Sequence, residues 1–207
     1  MTKIYLTRHG QTKWNLEGRM QGRKNSDLTP LGEEQAKWLG QSLQTVPLDV
    51  IITSSSGRAV QTAEWIRGDR TIPLKKTDQL QEIHLGEWEG KNQSQIEKSQ
   101  PLEYKNFWEQ PETFAAEAGE DFTQVIERTS QEVETLARTY EGKTLLLVTH
   151  AVVLKCLMTY FEKKSVKDVW SGAFMHSTAL SLVEKQGDDW KVHFQGDISH
   201  HQNSSHA

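Results

Sequence analysis

Three short apolar runs, Ile4-Tyr5-Leu6, Val50-Ile51-Ile52 and Leu145-Leu146-Leu147-Val148, are continuous rather than alternating. Such runs suit strands covered on both faces in a parallel sheet. Each is followed by a segment with helical character. After the second run Ala59, Val60, Ala63 and Ile66 fall at helical spacing, and after the third the stretch Ala151 to Phe161 is apolar nearly all round, as a buried helix requires. The helix after the first run is delayed. Thr29-Pro30 gives it a capping residue and a proline at the first helical position, Ala36, Leu39 and Leu43 give it a buried face, and Pro47 closes it off. The clearest amphipathic helix starts at Asp121, places Phe122, Val125, Ile126, Thr129, Val133, Leu136, Ala137 and Tyr140 on its apolar positions, and ends near Gly142. Two further strands, Ala179 to Val183 and Lys191 to Phe194, flank a Gly187-Asp188-Asp189 turn, and the polar tail SHHQNSSHA is expected to fray. The alternation predicts an α/β fold, a three-layer α/β/α sandwich around a mostly parallel central sheet.

One stretch breaks the alternation. From about Gly86 to Gly119 the chain is polar and without a clear strand, yet it holds Trp88, Phe107, Trp108 and Phe114. It is read as a small inserted cap on a single domain spanning residues 1–207. Composition then narrows the ligand. With 24 Lys+Arg against 28 Asp+Glu and a net charge of -4, no overall field draws the chain onto nucleic acid or anionic lipid. A small anionic ligand in a local basic pocket fits better than a polyanion. Cys156, the single cysteine, has no intramolecular partner, and its setting in AVVLKCLMTYF marks a small core residue in a reducing compartment. The N-terminal apolar run is too short for a signal peptide, and no run reaches the roughly 18 apolar residues of a spanning helix, so a cytoplasmic protein with no membrane partner is expected. Nothing in the apolar pattern marks a subunit interface.

Each core strand ends in polar or cationic groups: Thr7-Arg8-His9-Gly10, Ser54-Ser55-Ser56-Gly57-Arg58 and Thr149-His150-Ala151. Open α/β sheets bind ligands beyond the carboxyl ends of their strands, where helix N-termini favour anions. Two arginines and two histidines therefore converge there, and phosphate is the natural match for guanidinium forks.

These residues carry a resemblance. LTRHGQTKWN, RMQGRKNSDLTPLGEEQA, TSSSGRAVQTA, EIHLGEWEG and LLLVTHAVVLK resemble, in order and spacing, the histidine phosphatase superfamily, the phosphoglycerate-mutase-like group. The likeness is nearest to its small bacterial broad-specificity phosphatases. It implies a metal-independent phosphomonoesterase with no cofactor, acting on a small phosphate ester through a phosphohistidine. On this chain it makes His9 the nucleophile, Arg8, Arg58 and His150 the ligands of the phosphoryl oxygens, and Glu82 the general acid and then base. Asn15, Gln21, Gly22 and the N–H of Ala151 match further phosphate contacts. Two positions depart from the family pattern. Ala151 stands where glycine is usual, keeping the N–H but adding a methyl, and Gln11 stands where many members have Glu. The chemistry is coherent, since cationic neighbours keep a histidine neutral and nucleophilic, and a carboxyl that serves as acid and base at neutral pH needs a raised pKa.

Blander readings compete at several positions. His84, two residues beyond Glu82, is read as a packing residue rather than a metal ligand, because no third ligand lies nearby in sequence. His176 is read as packing, with the pocket as the alternative. Phe107, Trp108 and Phe114 are read as core rather than substrate wall. Lys13, Arg19, Arg23 and Lys24 form a basic cluster expected near the pocket mouth, which would read a second anionic group or serve only as a solvated face. The histidines of the tail, His200, His201 and His206, are expected to be disordered. Two other functions remain in play: a phosphoglycerate mutase using the same His9 and Glu82, and a non-catalytic module that binds phospho-ligands.

Overall fold

The computed structural model of the chain describes residues 1–202. Six strands make one sheet: β1 (Thr2–Arg8), β2 (Val50–Ser54), β3 (Leu74–Thr77), β4 (Thr144–Thr149), β5 (Leu180–Gln186) and β6 (Asp189–Asp197), in the order β3-β2-β4-β1-β5-β6. The four strands from β3 to β1 in that order run parallel, and β5 and β6 each run antiparallel to the neighbour before them. The helices follow in the chain as α1 (Lys13–Leu16), α2 (Pro30–Ser42), α3 (Gly57–Arg67), α4 (Gln93–Ser99), α5 (Pro101–Glu109), α6 (Phe122–Thr139) and α7 (Ala151–Phe161).

Side chains along the central strands alternate between two apolar layers, which is why those strands read as continuous runs. Ile4, Leu6, Ile52, Leu145 and Leu147 pack with residues of α6, α7 and the cap. Ile51, Leu146 and Val148 pack with Ala36, Leu39, Ala59 and Ala63 of α2 and α3. The periodic positions of α6 are buried as the pattern requires, with Phe122, Val125 and Val133 fully covered; each such side chain contributes about 1.5–3 kcal/mol when taken out of water. Thr29 caps α2 by accepting from the Gly32 N–H, and Asp121 caps α6 by accepting from the Gln124 N–H. No helix among the described residues is long and apolar enough to cross a membrane.

Several expectations need correction. β3, with the sequence LKKT, carries no apolar run; it is an edge strand held by pairing with β2, and lysines there blunt an open edge. The four-residue α1 has no apolar period and exists through a capping box between Thr12 and Asn15. α2 stops at Ser42, short of Pro47. The stretch expected to form a cap contains two helices, α4 and α5, whose packing rests on aromatic contacts rather than on a period: Phe107 lies against Phe114 and Trp88 at ring-centroid distances of 5.0 and 5.7 Å. The start of the tail does not fray. His200 and His201 both contact the Thr178 hydroxyl, and His201 packs against the Trp38 ring. His206 lies outside the described residues.

The loop after β1 reaches the first turn of α2 through two glycines. A Cβ at Gly10 would overlap the Gly32 backbone, and one at Gly32 would overlap the Gln11 backbone. Gly32→Ala should therefore destabilise the fold by about 1–3 kcal/mol, the usual cost of overpacking, in chemical denaturation; an unchanged midpoint would show that the loop yields freely.

Candidate active site

The carboxyl ends of β1, β2 and β4 meet at one end of a cavity of about 410 Å³. His9 follows β1 directly. Its backbone N–H donates to the Thr149 carbonyl at 2.9 Å, and the next N–H, of Gly10, donates to the Thr62 hydroxyl at 3.0 Å. The side chain is held too. Nδ1 lies 2.7 Å from the Gly10 carbonyl oxygen, which can only accept, so Nδ1 carries the proton and Nε2 keeps a lone pair. Burial holds the His9 pKa well below its ordinary value, and the positive charges of Arg58 and Arg8 push it the same way.

Arg58, in the first turn of α3, is fully buried. Its guanidinium donates to the carbonyls of Lys24 at 2.7 Å and Gly22 at 2.9 Å, and to Nδ1 of His150 at 3.1 Å. Its backbone N–H donates to the Asn25 side chain at 2.9 Å. Burial lowers its pKa to about 10, which leaves it charged at neutral pH. Since a guanidinium only donates, His150 accepts at Nδ1 and carries its proton on Nε2, which faces the Ser54 and Ser56 hydroxyls at 2.8 and 3.2 Å. The His150 ring stands 5.3 Å from that of His9. Arg8 donates to the Met175 carbonyl at 2.9 Å. The Nε of Arg8, the Nε of Arg58 and Oε1 of Gln21 are buried without a protein partner.

Glu82 comes from the loop that follows β3. Its carboxyl oxygens accept from the N–H groups of Ile83 at 3.0 Å and Val152 at 3.3 Å, the latter in the first turn of α7. Burial raises its pKa; the N–H groups and the charges of Arg58 and Arg8 oppose that rise without cancelling it.

Of the residues singled out in the sequence, Arg8, His9, Asn15, Gln21, Gly22, Arg58, Glu82 and Ala151 all line this cavity. His150 is not among the lining residues; it is fully buried, with Nδ1 beside Arg58 and Nε2 beside Ser54. Asn15 spends its Oδ1 on Thr12, so its NH2 is the group left for the cavity. Gly22 lines the cavity but offers its carbonyl to Arg58, and it sits at φ +50° where a Cβ would strike Glu89. Ala151 opens α7, where N–H groups lack intrahelical acceptors.

The basic cluster scatters. Arg19 alone of the four lines the cavity, while Lys13 pairs with Asp27, Lys24 donates to the Glu89 carbonyl and Arg23 turns towards Glu82. His84 lies 3.8 Å from Glu89, and no group of three or more potential metal ligands occurs among the described residues. His176 is exposed and packs on Phe174. Phe114 is core, but Phe107 and Trp108 also border the cavity.

Sequence reasoning missed the rest of that apolar wall, Trp170 and Phe174, which sit in a segment without period. It also missed Lys155 and Glu89. The signal for Lys155 was a single charge in an otherwise apolar helix; its ammonium donates to the carbonyls of Ser171 at 2.7 Å and Trp170 at 3.4 Å. Glu89 is buried and accepts from the N–H groups of Arg23, Lys24 and Leu85 at 2.9, 3.2 and 3.1 Å.

The two kinds of shift act oppositely on stability. Glu82, with its folded pKa raised, contributes stability below its unfolded value near 4.5 and loses it as pH rises through the raised value. His9 and His150, with folded pKa values lowered, contribute stability above about 6.5 and lose it as pH falls. Glu82→Gln should therefore melt higher than the parent at neutral pH, with the difference shrinking towards the acid side in thermal melts. A variant that melts lower at neutral pH would contradict the buried-carboxyl cost.

The family model described as histidine phosphatase superfamily (branch 1) matches residues 4–198. The solved structure of YhfR from Bacillus stearothermophilus is 44% identical with a TM-score of 0.95, covering 97% of this chain and 99% of that one. Phosphoserine phosphatase 1 of Hydrogenobacter thermophilus is 29% identical over 83% of this chain and 81% of its own length. A phosphoserine phosphatase from Entamoeba histolytica, solved with 3-phosphoglyceric acid, is 25% identical with a TM-score of 0.87, covering 97% of this chain and 99% of that one. Matched by the family model over nearly its whole length, the chain is a phosphatase of the histidine phosphatase superfamily.

Proposed function

We propose that the protein hydrolyses small phosphate monoesters through a phosphohistidine on His9, with no metal taking part. The observation that carries this reading is the 2.7 Å contact of His9 Nδ1 with the Gly10 carbonyl. It leaves Nε2 with its lone pair in a cavity shared with two guanidiniums and a carboxyl of raised pKa. Arg8 and Arg58 offset the two charges of a phosphate monoester, and the open N–H groups of α7 add to them. Asn15 and Gln21 contribute amide donors beside them. Nε2 attacks phosphorus, the ester P–O bond breaks, and protonated Glu82 gives its proton to the leaving oxygen. The resulting carboxylate then takes a proton from the water that attacks the phosphohistidine. The P–N bond breaks, inorganic phosphate leaves, and both groups return to their starting states. In this scheme His150 acts through Arg58, whose orientation it fixes, rather than as a phosphoryl ligand.

The far end of the cavity supports aryl and alkyl leaving groups over strongly charged sugar phosphates. Phe107, Trp108, Trp170 and Phe174 line it, with the Trp108 and Trp170 rings 4.8 Å apart, and the Lys155 charge is spent on carbonyls. A mutase built on the same His9 and Glu82 would have to hold water out between two phosphoryl transfers. Here Trp108 and Phe174 are 38% and 67% exposed, an open rim that favours hydrolysis.

The test is phosphate release from a panel of phosphomonoesters in excess EDTA, with acid-labile phosphoenzyme trapped in parallel. Activity should survive chelation, and His9→Ala should abolish both turnover and phosphoenzyme. Isomerisation of phosphoglycerates without phosphate release would overturn the reading, and so would binding without turnover across the panel. Glu82→Gln should slow phosphoenzyme formation from alkyl phosphates by roughly 10²–10⁴-fold and from p-nitrophenyl phosphate by less. Trp108→Ala should raise KM for aryl phosphates by roughly 2–10-fold, the worth of one aromatic contact, and leave KM for glycerol phosphate unchanged; equal shifts would remove Trp108 from the leaving-group wall.

A further inference from the structure

Glu82 lies in a connection without helix or strand of its own, between the turn at Asp78–Leu80 and the turn at Gly86–Trp88. A side chain carried by such a segment is placed only as well as the segment is held. Its main-chain oxygen accepts from Arg23 Nε at 2.7 Å and from an Arg128 terminal nitrogen at 3.4 Å. Arg23 comes from the loop whose carbonyls hold Arg58, and Arg128 comes from the second turn of α6.

The Glu120 carboxylate bridges the two guanidiniums. It accepts from Arg128 at 2.7 and 3.1 Å, from Arg23 at 3.1 Å, and from the His84 N–H at 2.9 Å. Burial works against its charged form, but these donors hold its pKa below the ordinary value, so it is ionised at neutral pH. Arg128 also donates to the Gln79 carbonyl at 2.6 Å, and Arg23 to the Gln81 side chain. Residues 79, 81, 82 and 84 are thus each tied to the same three-residue ionic group. The side chains of Arg128 and Glu120 are 14% and 18% exposed, covered enough for the pairs to resist solvent screening. None of the three residues lines the cavity.

We propose that Arg23, Glu120 and Arg128 are positioning residues that clamp the Glu82 main chain from behind and so hold its carboxyl where a leaving oxygen is protonated. The proposal rests on the reading of Glu82 as general acid. The clamp acts only through Glu82, and that sets its signature. Misplacing a catalytic group by about 1 Å can cost 10²-fold, but the cost falls only on the step that uses the group. The phosphate end, built on β1, α3, α7 and the loop of Gln21 and Gly22, forms no hydrogen bond with Arg128 or Glu120.

The experiment is a double-mutant cycle of Arg128→Gln with Glu82→Gln, read as the rate of phosphoenzyme formation in single turnovers with glycerol phosphate and with p-nitrophenyl phosphate. Arg128→Gln alone should slow the alkyl ester by roughly 10–10²-fold with KM little changed and slow the aryl ester much less. Added to Glu82→Gln it should cost no more than about 2-fold, because no acid remains to be placed. Arg128→Lys should restore part of the alkyl rate. Equal losses on both esters, or the same loss in the Glu82→Gln background, would make Arg128 a general support and overturn the clamp alone. A Glu82→Gln enzyme with no leaving-group dependence would overturn the general-acid reading and the clamp with it. Should Arg128→Gln melt below the assay temperature, Glu120→Gln, which keeps both guanidiniums, enters the same cycle with the same expected and overturning results.

Discussion

The burial of the Arg58 guanidinium is the constraint on which the site is built. A charge taken fully out of water is costly unless its donors are met, and no carboxylate among the described residues forms an ion pair with this one. Two carbonyls and one imidazole nitrogen meet it instead. Each makes a demand of its own. The Gly22 carbonyl is aimed by a left-handed turn that only glycine fits, because Glu89 fills the space a Cβ would take. Glu89 in turn holds the following two N–H groups and keeps the loop closed. The imidazole is aimed by hydroxyls at and just beyond the end of β2, and the parallel register of β2 and β4 is what brings it there. Dipoles offset the burial without neutralising the charge, and the guanidinium is left able to meet an anion.

The same desolvation shifts two groups in opposite directions. Burial disfavours the charged form of any group, so it lowers the pKa of the His9 imidazole and raises that of the Glu82 carboxyl. Arg8 and Arg58 then separate the two cases. Their charge adds to burial at His9 and opposes it at Glu82, which leaves the carboxyl the more finely balanced group of the pair.

Much of this was legible in the sequence, for reasons particular to each element. β1, β2 and β4 are covered on both faces, so their runs are continuous and their polar ends stand out; Arg8, His9 and Arg58 follow from those ends, whereas Asn15, Gln21, Gly22 and Glu82 came only with the family resemblance. α6 shows because one face is core and the other is not. β3 does not show, since LKKT earns its place by pairing with β2 rather than by burial. The cap and the Trp170 wall are held by aromatic rings meeting across segments, which leaves no period to read. The contacts of His150 with Arg58, Ser54 and Ser56 were not legible, because they join residues distant in sequence. The Arg23–Glu120–Arg128 group is hidden for the same reason: its members lie up to 105 positions apart, from Arg23 to Arg128, and only the fold brings them together.

Lys155 ties the segment carrying Trp170 to α7, the helix that opens at Ala151 beside the phosphate end. The two anchor points stand four residues apart on one helix, a separation of about 6 Å at 1.5 Å per residue. One helix therefore carries both an N–H of the phosphate end and the anchor of the Trp170 wall, so a shift of α7 would move the two together. The segment carrying Phe107 shares that wall, since the Trp170 indole N–H donates to the Phe107 carbonyl at 2.5 Å.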